Sequence, residues 1–350
     1  MEKMGKNSSK TLIVMSKAYY YNLSILRTFA IISLVAWHSY CSYICWDIID
    51  SPANKIYAVA FGLFAPLANM PLFTFLSGYL FFSLMKGQGK YQDFVPFLRN
   101  KVNRLLVPFI VLGSLVNLCE YGKHYVDILY GTPNHLWYCL MLFFCFIISW
   151  IVEKYFQKVN YLLFFISALY ALCKGSSYLC VDSILGWKNV LYFYNFFLAG
   201  LYVQKYSIID CIVNFFNKNN VLYIVFILIY LFLGLASIKI SSLSLITSYY
   251  YIILLFCVVD MVLKNTDFFA GEKIQSFINS ISMCSFGIFV FHQWIIWNLT
   301  RVPQSINFLG TYMQEHYILF PALLTIVAFS ISYALTRLCI KTKIGKYLLL

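Results

Sequence analysis

The stretch NLSILRTFAIISLVAWHSYCSY, residues 22–43, decides the fold. A helix crosses the hydrocarbon of a bilayer with about 20 mainly apolar residues, and this segment has that length. It nevertheless carries Arg27 and His38, two groups that lipid penalises. Lys3, Lys6, Lys10 and Lys17 precede it, and the only apolar run among them, Leu12–Met15, is too short for a signal-peptide core. The segment is therefore expected to be a retained first span.

Similar segments recur along the chain. Ten spans are expected, at residues 22–43, 57–85, 105–119, 135–152, 161–174, 189–204, 221–238, 243–263, 281–300 and 318–337. The second contains Pro66 and Pro71, so a kink is expected there. With ten spans and both termini cytoplasmic, 19 of the 26 Lys and Arg fall on the cytoplasmic side, six fall outside, and Arg27 lies within a span. Dividing residues 57–85 into two spans would invert every later loop and destroy this positive-inside asymmetry. No connecting loop exceeds about 20 residues on this reading, so residues 1–350 form a single integral-membrane domain.

Composition agrees. Of 350 residues, 61% are hydrophobic and 11% charged, and the mean hydropathy is +0.76. A soluble domain carries about 25% charged residues. A soluble enzyme, a disordered tail and a nucleic-acid-binding module are thereby excluded. The net charge of +13 comes from short basic clusters between apolar runs, which report orientation rather than a nucleic-acid partner. The 11 Cys are scattered without a C-x-x-C pair and read as small buried apolar residues.

Function must then reside on polar residues inside the bundle. From Arg27 to His38 a helix turns by about 1100°, three turns plus about 20°, so both side chains project from one face about 16 Å apart. Either residue alone has an ordinary explanation: Arg27 snorkelling to headgroups, His38 a bonded core residue. Their alignment favours a shared role. His292, in the ninth span, and His135, opening the fourth from outside, fall at a depth similar to His38, while His124 and His316 fall in outer loops. Histidine suits proton transfer near neutral pH. No carboxylate within a span joins these histidines, so no metal site is expected. His135 and His292, beside Trp137 and Trp294, are equally open to a structural role.

The opposite side of the membrane carries cations. Lys86, Lys90, Arg99, Lys101 and Arg104 lie between the second and third spans, and Lys101 and Arg104, three apart, share a helical face. Beside plain positive-inside decoration, they suit a phosphate-rich cytoplasmic ligand such as coenzyme A. Ser77 and Gly78, level with Arg27, permit close approach of another helix or of a thin ligand.

In this order the motifs resemble those of the acyltransferase 3 family, the multispanning O-acyltransferases that decorate bacterial surface glycans. Arg27 and His38 match its Arg-x10-His element. FTFLSGY (residues 73–79), KVNRLLVP (101–108), HLWY (135–138) and FVFH (289–292) are similar to its later elements. The resemblance covers nearly the whole chain. Lys101 stands where the family has Arg, with Arg99 as a neighbouring substitute. The fourth span lacks the S-L-x-x-E-E-x-F-Y continuation of larger members, which points to the compact branch without a periplasmic esterase-like domain.

The resemblance implies a multi-pass protein of the bacterial inner membrane. It implies transfer of an acyl group, by default acetyl, from acyl-CoA to a hydroxyl of a surface or lipid-linked glycan. On that basis Arg99, Lys101 and Arg104 hold the phosphates, with Arg27 deeper, and the pantetheine arm passes Ser77 and Gly78. His38 acts as general base or acyl carrier, and His135 and Trp137 are candidate oxyanion donors by depth. A glycan flippase or transporter, a glycan polymerase and a structural subunit are the rival readings. The first usually shows repeated halves, the second a larger Arg-bearing outer loop, and the third leaves the aligned Arg27 and His38 without a purpose.

Overall fold

The computed structural model describes residues 3–44, 46, 48–49, 70–87, 91–120, 134–174, 184–216 and 220–349. The described residues contain helices and no strand. The longer elements are α1 (Lys3–Ile44), α2 (Met70–Phe82), α3 (Phe94–Lys101), α4 (Val107–Glu120), α5 (Trp137–Tyr155), α6 (Val159–Lys174) and α7 (Trp187–Lys205). They continue as α8 (Ile208–Phe216), α9 (Asn220–Lys239), α10 (Leu243–Asn265), α11 (Glu272–Gln304), α12 (Asn307–Glu315), α13 (Leu319–Cys339) and α14 (Lys343–Leu349).

Each of the ten expected spans falls on a helix, but fewer qualify as full crossings. Residues 57–69 of the second lie outside the described residues. Among the described residues six helices are long and apolar enough to traverse a bilayer: α1 from Tyr21 to Tyr43, α5, α9, α10, α11 and α13. A seventh would be α7 with α8, bent by 76° where Ser207 takes a positive φ of 51°. The ten crossings and the cytoplasmic termini expected from charge go beyond this count. Met70–Lys86 and α6 are apolar but short, and α4 has 14 residues. At 1.5 Å per residue such helices reach about 21–26 Å, less than the roughly 30 Å hydrocarbon. Hydropathy does not show where the backbone breaks.

Two such breaks position the site. Ser83–Gly87 and Val102–Leu106 are π turns. The second has a covalent cause: Pro108 has no N–H to give the carbonyl of Arg104, four residues back, and the helix widens ahead of it.

Helix α1 packs against α11 and α13, and Thr28 Oγ1 donates to the Ile278 carbonyl of α11 at 3.2 Å. The tightest pairing joins α2 and α7. A Cβ built on Gly78 would collide with the Phe197 carbonyl, and one built on Gly200 with the Phe75 carbonyl. Two glycines on facing helices thus bring the backbones into contact, the small-residue packing that replaces the hydrophobic effect in lipid. Polar groups buried between the helices are paired at two places. Glu153, 1% exposed, accepts from Lys205 Nζ at 3.1 Å and from Asn160 Nδ2 at 2.9 Å. Asn195 accepts from Tyr249 at 2.5 Å and receives Ser167 against its backbone N–H.

Candidate functional site

Three helices each bring one histidine to a common point. His38 comes from α1, His292 from α11, and His135 from the 3-10 turn Asn134–Leu136 that leads into α5. The His38 and His292 ring centroids lie 4.8 Å apart, those of His135 and His292 5.2 Å apart. His292 is fully buried and His135 is 7% exposed.

The hydrogen bonds fix the tautomers. His292 Nδ1 faces two carbonyl oxygens of its own helix, Phe289 at 2.7 Å and Ile288 at 3.1 Å. Carbonyls only accept, so Nδ1 carries the proton and Nε2 is a lone pair. His38 Nδ1 sits 2.7 Å from that Nε2 and must donate to it. The proton order leaves His38 Nε2 unprotonated, a base oriented by a second imidazole. His135 is arranged otherwise. Its Nε2–H donates to the Val290 carbonyl at 3.2 Å, and its buried Nδ1 has no partner among the described residues. Trp46 stacks over His38 at 5.8 Å and meets Trp297 edge-on at 5.3 Å.

Below the histidines lies a cavity of about 520 Å³, within the size range of small-molecule sites. The helices that carry the histidines also wall the cavity, on continuous faces. On α11 the wall is Ser282, Met283, Ser285, Phe286 and Phe289, and His292 lies three residues beyond Phe289 on the same face. On α5 it is Tyr138, Leu142 and Phe146, one turn from His135, and on α1 it is Arg27, three turns from His38. Tyr138 and Phe289 both line the cavity, their ring centroids 5.6 Å apart, with Phe289 5.0 Å from His135.

The cavity is strongly cationic. Arg27, Lys101, Arg104 and Lys346 line it, and no Asp or Glu is among its described lining residues. The ion pairs among the described residues, Lys205–Glu153 and Lys264–Asp260, involve none of these cations. Lys101 is held in place by aromatic rings, its Nζ 3.5 Å from the centroid of Phe146 and 5.0 Å from that of Tyr91. The turn bearing Tyr91 is pinned to α5 by Trp150 Nε1, which donates to the Tyr91 carbonyl at 2.8 Å. Burial, then the charges of Arg104 and Arg27, push the Lys101 ammonium down to about 7.

Arg27, Ser77, Lys101 and Arg104 thus meet at one cavity, and His38, His135 and His292 meet above it. Three expected residues stand apart. Gly78 faces the backbone of α7, the helix-approach alternative for this residue, and is not among the residues lining the cavity. Arg99 is exposed and off the cavity, because it lies two residues from Lys101 and so on another helical face. Trp137 packs on Phe193 at 5.4 Å rather than toward the histidines. Sequence reasoning missed Tyr138, Ser282, Ser285 and Phe289, although their three- and four-residue spacing from His135 and His292 was a usable signal. It also missed Trp46, Trp297 and Lys346, for which no local signal existed.

The family model described as an acyltransferase domain matches residues 20–337 of the chain. Comparison with curated proteins and with solved structures found no match.

Proposed function

The chain belongs to the acyltransferase 3 family, and on that premise we propose that it moves an acyl group, by default acetyl, from cytoplasmic acyl-CoA to a hydroxyl of a bacterial surface or lipid-linked glycan. The observation that carries this reading is the run of three helix faces from a cationic cavity, with no Asp or Glu among its described lining residues, toward a histidine whose Nε2 is left to accept a proton. Arg27, Lys101 and Arg104 hold the donor's phosphates by charge and fork geometry. The thioester passes Ser77 and runs toward His38 along the side of the cavity that bears Tyr138 and Phe289. His38 Nε2 takes the hydroxyl proton as the oxygen attacks the thioester carbonyl, and the imidazolium then returns it to the departing thiolate. The route through an acyl-histidine uses the same atom. The excess of Lys and Arg in alternate loops supports ten crossings of the inner membrane with both termini cytoplasmic.

Mass spectrometry of surface polysaccharide from cells with and without the gene tests the reaction. Loss of one acetyl per repeat is expected on deletion. Loss of the polymer itself would replace this reading with flippase or polymerase, and an unchanged glycan would remove the acceptor class.

The depressed ammonium of Lys101 predicts a pH signature. Below about pH 7 the group is already charged, and donor binding is insensitive to it. Above that, binding must first return a proton, so affinity for coenzyme A falls by up to about tenfold per pH unit. Arg27, Arg104 and Lys346 are the other cations at the cavity. Lys101→Arg, permanently charged, should flatten the profile between pH 7 and 9. An unchanged slope in that variant assigns the pH dependence elsewhere.

A further inference from the structure

The family match ends at residue 337, yet the cavity is lined in part by residues beyond it. Helix α14 turns back from α13 and packs against the π turn Val102–Leu106, α4 and α11. Its docking is specific. Thr342 Oγ1 caps the helix by accepting from the Gly345 N–H at 2.9 Å, and a Cβ on Gly345 would collide with the Cys339 carbonyl. Leu349 is 4% exposed and belongs to the main hydrophobic core, and Leu348 and Leu349 both line the cavity. Lys346, on the same helix, lines it as well, beside Arg27, Lys101 and Arg104.

We propose that α14 completes the cytoplasmic mouth of the donor site and that Lys346 is its fourth anion-binding cation, engaging the phosphate-bearing end of the ligand. A lysine placed at a cavity with three other cations and no Asp or Glu side chain among its described lining residues meets like charge there until an anion arrives. The leucines secure the helix that holds it there, so the charge is presented on a docked element rather than on a loose tail. Lys341 and Lys343 sit on the same terminus and do not line the cavity. This inference rests on the acyl-CoA reading, but it asks only for a ligand rich in phosphate.

The test measures binding of coenzyme A and, separately, of inorganic pyrophosphate to the full chain in phosphatidylcholine nanodiscs. The variants are Lys346→Ala, Lys346→Arg and Lys341→Ala. For both probes Lys346→Ala should bind roughly fivefold to tenfold more weakly, the order of one lost charge-assisted contact, with a shallower salt dependence. Lys346→Arg should restore binding and Lys341→Ala should match the parent. Parent-like binding by Lys346→Ala overturns the proposal while leaving the donor reading intact. Binding of pyrophosphate but not coenzyme A by the parent ends the acyl-CoA reading, and the pyrophosphate series then decides Lys346 alone. If neither probe binds the parent, both ideas fall. Repetition with phosphatidylglycerol in the discs separates the remaining source of phosphate: an effect of Lys346→Ala seen only there assigns the lysine to lipid headgroups and overturns its role at the cavity.

Discussion

His38→Ala should lose acyl transfer by at least about 10²–10⁴-fold, the contribution of a positioned general base, while the protein still reaches the membrane and binds coenzyme A as the parent does. The expectation follows from the proton order. Backbone carbonyls at 2.7 and 3.1 Å hold a proton on His292 Nδ1, the His292 Nε2 lone pair holds a proton on His38 Nδ1, and His38 Nε2 is left to accept one. His292 contributes orientation and no charge, so it is a positioning residue. His292→Ala should leave residual activity, with an altered pH profile because the His38 tautomer is no longer fixed. Donor cleavage and glycan acetylation assayed in membranes distinguish the cases. Parent-like acetylation by His38→Ala removes His38 from the chemistry, and equal, complete loss in both variants without any shift in pH profile makes the pair structural.

The parts of this site that follow from helical periodicity were legible in the sequence. Arg27 and His38 share a face because 11 residues are close to a whole number of turns, and the common depth of His38, His135 and His292 follows from counting spans. The convergence of Lys101 and Arg104 follows from their three-residue spacing. Contacts set by distant parts of the chain were not legible. Gly200 lies 122 residues from Gly78, and nothing near Gly78 announces that its partner is another backbone. Lys346 reads as one more positive-inside charge until α14 folds back. The expected ten crossings go beyond the six or seven helices long and apolar enough among the described residues for a different reason. Hydropathy averages over windows, whereas the π turn ahead of Pro108 and the 76° bend between α7 and α8 are local backbone events.

The contact of α2 with α7 yields the other large effect. Gly78→Val should prevent accumulation of folded protein, and Gly78→Ala should lower the thermal midpoint. The atom a Cβ would strike is the Phe197 carbonyl oxygen, and the reciprocal contact sets Gly200 against the Phe75 carbonyl. Neither oxygen can rotate away as a side-chain tip would, so the helices must separate. Overpacking of this kind costs about 1–3 kcal/mol and occasionally more, a large share of a typical stability of about 5–15 kcal/mol. Separation would also carry Ser77, the residue before Gly78, away from the cavity it lines. Ser77→Ala is the matched control, since its hydroxyl bonds to the Phe73 carbonyl of its own helix at 2.8 Å and the helix survives its loss. Thermal unfolding in detergent, followed with coenzyme A binding on the same samples, separates packing from ligand contact. A Gly78→Ala protein with the parent's midpoint but no donor binding would return Gly78 to the ligand path and refute the packing role.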